Sequence, residues 1–196
     1  SAQRKLCRLI IINKIDAENI NLQDIFKEIR TTFGRQCLPL NLPAQQGKAI
    51  ADCFFESTDE TPDFASVEAA HTEIVDQVVE LDDELMEAYL EQDEDITPDQ
   101  LHDPFERALR AGHLIPVCFV SSDTGVGIQQ LLRILSKLMP SPMEGNPPEF
   151  FNDQGKKKAI IMSAGDMDGH FVGHVFKVNV DPYVGRLATF RVHQGS

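Results

Sequence analysis

The chain has 196 residues, 42% of them hydrophobic, which is enough for one ordinary domain or two small ones with packed cores and excludes wholesale disorder. Its formal net charge of −13 is unevenly placed: between Lys48 and Arg107 there is no Lys or Arg, against twenty Asp and Glu. A stretch so acidic repels phosphate backbones and excludes a nucleic-acid clamp there, leaving a solvated helix face or a surface that steers a basic protein.

No apolar run reaches the length of a membrane span, and no signal-peptide pattern opens the chain. The four cysteines (Cys7, Cys37, Cys53, Cys118) are scattered, without a CxxC pair or metal-ligand spacing. The expectation is a cytoplasmic protein with reduced thiols, no metal site and no membrane partner.

Leu6 to Ile12 form a nearly continuous apolar run, as expected for a parallel strand buried on both faces. A helix follows, with Asn21 as N-cap, apolar residues at Leu22, Ile25, Phe26, Ile29 and Phe33, and Gly34 as its stop. Cys37 to Phe55, with two prolines, reads as one or two short strands. From Ser66 to about Leu90 the pattern is helical, with Val67, His71, Ile74, Val78, Leu81, Leu85 and Tyr89 on one stripe and acids opposite. A second helix is expected from Thr97, with Pro98 at its first position and Gln100 completing a capping box; it would bury Leu101, Phe105, Ala108 and Leu109, and end at Gly112.

Leu114 to Val120 is another buried-strand run, and Ile128, Leu131, Leu132, Leu135, Leu138 and Met139 mark a further amphipathic helix. The proline-rich stretch from Met139 to Glu149 reads as a linker. Beyond Ala159, alternation (Val175, Lys177, Asn179 against Phe176, Val178, Val180) and a Pro182 turn predict strands of a separate β unit.

Two loops carry the chemistry. Asn13-Lys14-Ile15-Asp16 follows the first strand directly. A carboxylate at Asp16 can accept both guanine N1–H and the exocyclic amine, whereas adenine would leave it unpaired. Asn13 can bond the purine N7 and brace the neighbouring loop, and the Lys14 stem can lie on one face of the ring. Loops at the carboxyl ends of parallel strands are where open α/β sheets bind nucleotides. The second loop, Ser121-Ser122-Asp123-Thr124-Gly125-Val126-Gly127, again stands between a buried strand and an amphipathic helix. In guanine-binding GTPases this position carries a Ser-Ala-x loop whose second backbone N–H meets guanine O6; Ser122 stands here in place of the usual alanine.

The span between these loops is far longer than in small GTPases, and its motifs resemble those of elongation factor G. Pro39-Leu40-Asn41-Leu42-Pro43 and the helix end Glu84-Leu85-Met86-Glu87-Ala88-Tyr89-Leu90 are similar to passages of that family's inserted subdomain. Leu138-Met139-Pro140-Ser141-Pro142 resembles the junction that closes its GTPase domain. Val175-Phe176-Lys177, Asp181 to Leu187, and Phe190-Arg191-Val192 resemble the opening strands of its second domain. The short insertion points to a divergent or paralogous member.

The resemblance implies an α/β fold: the C-terminal part of a P-loop GTPase domain carrying an α+β insertion, then the first strands of a β-barrel. The implied divisions are 1–36 with the first loop, 37–112 for the acidic insertion, 113–145 for the end of the GTPase domain, 146–158 for a linker and 159–196 for the barrel strands. The family binds GTP and GDP and acts on the ribosome in translocation, with ribosomal RNA met through other domains. It implies that Asn13, Lys14, Asp16, Ser121 and Ser122 form a guanine pocket, and that the insertion meets the ribosomal stalk protein through an acidic face including Glu73, Asp76 and Glu80.

No G-x-x-x-x-G-K-[ST] loop occurs in the 196 residues, since Gly47-Lys48 precedes Ala49 and lacks the upstream glycine. Asp166-Met167-Asp168-Gly169 fits D-x-x-G in form only, because it follows the base-reading loops. Magnesium ligands and switch regions are therefore absent, and these residues alone should not hydrolyse GTP. Alternatives are a release-factor or ribosome-protection GTPase and, from another class, a non-enzymatic acidic module that recruits a basic protein. His170 and His174 lack a third zinc ligand, and Lys156-Lys157-Lys158 reads as a solvated strand entry.

Overall fold

A computed structural model describes residues 6–56, 59–81, 86–87, 101–141, 150–151, 154–158 and 171–194. The chain divides into two compact units, Ser1–Pro140 and Ser141–Ser196.

The first unit is mixed α/β. Its centre is a parallel three-stranded sheet in the order β1-β5-β2, with β1 at Ile10–Ile12, β2 at Cys37–Pro39 and β5 at Ile115–Phe119. All five residues of β5 are buried, as its apolar run demands. Strand β1 is shorter and less covered than expected. Only Ile12 is buried, and Ile11 is 47% exposed; β1 stands at the edge of the sheet.

Helix α1 (Leu22–Phe33) starts where Asn21 accepts a hydrogen bond from the Asp24 N–H at 3.2 Å and stops at Gly34, φ 107°. It buries Leu22 and Phe26 but leaves Ile25 and Phe33 exposed. Strands β3 (Asn41–Ala44) and β4 (Ala49–Asp52) form an antiparallel hairpin, filling with three strands, together with β2, a region read as one or two. Every residue from Cys37 to Ala44 is buried, so neither prolines nor alternation disclose which face points inward.

Helix α2 (Val67–Val79) is capped by Ser66 and buries Ala70, Ile74, Val75, Val78 and Val79. Of the expected stripe, Ile74 and Val78 are buried and Val67, His71 and Leu81 are half-buried, whereas Leu85 and Tyr89 lie outside the described residues. Helix α3 (His102–Ala111) lies against α2, buries Pro104, Phe105, Ala108 and Leu109, and ends at the left-handed Gly112. Its expected start at Thr97–Gln100 lies outside the described residues; Leu101 occupies the cap position without a side-chain bond. Helix α4 (Ile128–Lys137) buries Leu131 and Ile134, with Leu138 just beyond, while Leu132 and Leu135 are exposed. The apolar face read from Leu132 and Leu135 is therefore corrected. Spacing of three and four through Leu131, Ile134 and Leu138 meets the core, and the second apolar stripe stays open.

One core runs from the parallel sheet to α2 and α3. Phe119 of β5, Phe26 of α1 and Phe64 form a triangle with centroids 5.8–6.2 Å apart, and Phe54 meets Phe105 of α3 at 5.3 Å. Burial pushes the Cys53 and Cys118 thiols up to about 12, with Asp52 adding to the effect, so both are inert core groups.

In the second unit β6 (Phe150–Phe151) pairs with β7 (Lys157–Lys158), so two short strands stand within the stretch read as linker. Strands β8 (Val172–Asp181) and β9 (Gly185–Gln194) form a long hairpin. Its turn is held by Asp181, whose carboxylate accepts from the Tyr183 and Val184 N–H groups at 2.8 and 2.9 Å. Residues of both alternating sets, Val175 and Phe176 among them, are exposed. Asp166–Gly169 and His170 lie outside the described residues.

Candidate functional site

Strands β1 and β5 are parallel and in register, with Ile12 opposite Phe119. Their following loops therefore leave the same sheet edge side by side. Val120 N–H donates to the Ile12 carbonyl at 2.9 Å and Ile15 N–H to the Val120 carbonyl at 3.3 Å, extending the pairing into both loops. Two motifs 109 residues apart meet at Asn13 and Ser122.

The Asn13 amide joins them. Its Oδ1 accepts from the Lys14 N–H at 2.8 Å, the Ser122 N–H at 3.0 Å and the Ser122 hydroxyl at 3.0 Å, while Nδ2 donates to Ser122 Oγ at 2.9 Å. Lys14 takes a left-handed backbone, φ 64°, and its side chain is exposed. The Ser122 amide expected to meet guanine O6 is thus given to Asn13 here, so a base would have to share or displace that bond.

Ser121 has a different place from the one expected. It is fully buried, its hydroxyl accepts from Thr124 N–H at 3.2 Å, and its own N–H donates to the Val126 carbonyl at 2.8 Å. It shapes the loop from within. Gly127 closes that loop at φ 75°, where a Cβ would lie 2.4 Å from the Phe119 carbonyl oxygen, so no other residue fits without displacing the end of β5.

Asp16 is half-buried, and its Oδ1 is shielded from solvent with no hydrogen-bond partner among the described residues. An unsatisfied buried acceptor costs about 1–3 kcal/mol, more when charged, and a bound water or a ligand donor can meet it. Guanine N1–H and its exocyclic amine are donors of that kind. A cavity of about 720 Å³ opens beside Asp16, bounded by Asn21, Gln46, Lys48 and Asp63. Of the expected base-pocket residues only Asp16 lines it, so it adjoins the two-loop site and is not the same space.

Three further residues support the loops, a role the sequence reading did not assign to them. Asn41 is fully buried, donating through Nδ2 to the Phe119 carbonyl at 3.0 Å and accepting from the Phe119 N–H at 2.7 Å. Its side chain serves as a missing strand beside the end of β5. Gly47 and Asp63 shape the β3–β4 turn against the first loop. A glycine between two short strands signals such a turn, but nothing local marks Asn41 or Asp63.

Glu73, Asp76 and Glu80 are exposed along α2 and border a separate cavity of about 570 Å³ with Arg30 and Arg35. The expected face without basic neighbours is corrected here: α1 brings Arg30 Nη1 within 3.2 Å of Glu73 Oε2. The described residues contain no cluster of three or more His, Cys, Asp or Glu placed to hold a metal ion, and none of their helices is long and apolar enough to cross a membrane.

No model of a known protein family matches the chain. Among curated proteins it is 34% identical over 201 aligned positions to the elongation factor G-like protein of two Mycobacterium tuberculosis strains, CDC 1551 / Oshkosh and ATCC 25618 / H37Rv. That match takes in 96% of the chain and 28% of the relative. A crystal structure from Thermus thermophilus superposes with a TM-score of 0.70 at 27% identity, over 98% of this chain and 28% of the other. The chain thus spans little more than a quarter of the length of its relatives. Over nearly its whole length the chain is homologous to part of the elongation factor G-like proteins.

Proposed function

We propose that this chain supplies the guanine-reading loops of a translational GTPase that acts on the ribosome in the translocation step. The observation that carries the reading is the juxtaposition of the two loops through Asn13, with an unpartnered Asp16 carboxylate oxygen beside them. In this reading Asp16 selects guanine by accepting its two donors, Asn13 holds the purine N7 edge, and the Lys14 stem covers the ring. Ser122 borders O6, and Ser121 holds the loop in shape. Residues 1–140 correspond to the late part of a P-loop GTPase domain with its insertion, and the β8–β9 hairpin to the opening of a β-barrel. GTP and GDP are the nucleotides, and phosphate and magnesium groups come from parts of the protein other than these loops.

The acidic face of α2, with Glu73, Asp76 and Glu80, is proposed to meet the ribosomal stalk protein, and ribosomal RNA to meet other domains. Competition of GTP and ATP for a fluorescent guanine nucleotide on the full-length protein tests the base reading. GTP is expected to displace the probe at far lower concentration than ATP; equal displacement would rule the reading out. The 196-residue chain alone is expected to release no phosphate above background.

A further inference from the structure

We infer that the turn of the β3–β4 hairpin braces the first base-reading loop, making Gly47 and Asp63 positioning residues for Asp16. The inference rests on the proposed guanine reading of that loop. Gln45, Gln46 and Gly47 are all left-handed, at φ 52°, 60° and 76°. Two consecutive non-glycine residues in that region need outside support, since L side chains resist it.

Asp63 supplies the support. Its Oδ1 accepts from the Gln46 N–H at 2.9 Å and its Oδ2 from the Gly47 N–H at 3.1 Å, so one carboxylate fixes both amides. The Asp63 N–H in turn donates to the Pro43 carbonyl of β3 at 2.8 Å, and Gln45 Nε2 donates to Glu60 Oε2 at 2.8 Å. Residues 60–63 therefore clamp the turn in one conformation.

The clamped turn presses Gly47 against the loop. A Cβ there would stand 2.0 Å from the Ile15 carbonyl oxygen and 3.2 Å from the Asp16 nitrogen, both backbone atoms that cannot rotate away. Ile15 is held on its other side by its N–H bond to Val120 and is 1% exposed. The peptide that carries Asp16 is thus fixed between the end of β5 and the hairpin turn. The adjacent cavity of about 720 Å³, which Asp16, Gln46 and Asp63 all line, gives a displaced loop somewhere to go without unfolding the core.

Inosine triphosphate isolates the effect, because it keeps N1–H and lacks the exocyclic amine that Asp16 would accept. Wild-type full-length protein should prefer GTP over it by about ten- to a hundredfold, the weight of one hydrogen bond to a charged acceptor. Asp16→Ala should reduce that preference to below about threefold. Gly47→Ala should do the same, with a circular-dichroism spectrum like wild type. Asp63→Asn, a milder change that keeps one acceptor oxygen, should lose part of the preference, and Asp63→Glu should restore it. A purely structural role would lower melting temperature and leave the ratio of the two nucleotides unmoved. If Asp16→Ala loses the preference while folded Gly47→Ala and Asp63→Asn keep it, the brace is refuted and the guanine reading stands. If Asp16→Ala itself keeps the preference, both fall.

Discussion

Two backbone N–H groups decide which way the Asn13 amide points. Lys14 and Ser122 both donate to Oδ1, which leaves Nδ2 facing the Ser122 hydroxyl. With alanine at position 122, that second donor would be available to the purine N7, and the amide orientation would survive because its two backbone donors remain. Ser122→Ala in the full-length protein is therefore expected to tighten GTP severalfold, on the scale of one neutral hydrogen bond of about 1 kcal/mol. Fluorescence titration measures it, and unchanged or weaker binding would show that the hydroxyl does not compete with the base. Asn41 presents the opposite case, a polar group wholly consumed by structure. Asn41→Ala leaves the Phe119 N–H and carbonyl buried without partners, at about 1–3 kcal/mol each. Urea unfolding should show a loss of roughly 2–6 kcal/mol; a loss below about 1 kcal/mol would mean that water or a shifted strand replaces the amide.

Elements with local signals were legible in the sequence, and elements defined by distant partners were not. Helix α1 announces itself through Asn21 and Gly34, and β5 through an unbroken apolar run, because cap chemistry and strand burial are written in neighbouring residues. The β3–β4 hairpin hides for the reason that makes it stable: from Cys37 to Ala44 every side chain is buried, so no alternation survives to set the period. Two loop motifs marked the proposed base site, yet Asp63 and Asn41 make their contacts across sequence separations that no local pattern records. The acidic face of α2 shows the same limit, since Arg30 reaches Glu73 from another helix. Reversing Asp76 and Glu80 to lysine should therefore slow association with the stalk protein's C-terminal domain more than reversing Glu73, which is already partly neutralised. Stopped-flow rates across a salt series test this, with steering expected to fade as the Debye length falls from about 10 Å at 0.1 M to about 3 Å at 1 M. Rates indifferent to both charge and salt would make the face a solvated surface only.

Across the whole molecule, one unit places two loops on a sheet edge and the other presents a hairpin with apolar residues exposed in both alternating sets. Ile11 on the open edge of β1 is also exposed, together with Leu132 and Leu135 on α4. The proposed contribution of these 196 residues is choice of base, and that claim rests on Asp16 more than on any other residue. The most direct measurement is competition between GTP and xanthosine triphosphate for full-length wild-type protein and for Asp16→Asn. Xanthine replaces the exocyclic amine by a carbonyl, which an asparagine amide can satisfy and a carboxylate cannot. Wild type is expected to prefer GTP, and Asp16→Asn to weaken GTP while raising relative affinity for xanthosine triphosphate; an unchanged preference for guanine in the variant would contradict the assignment of Asp16.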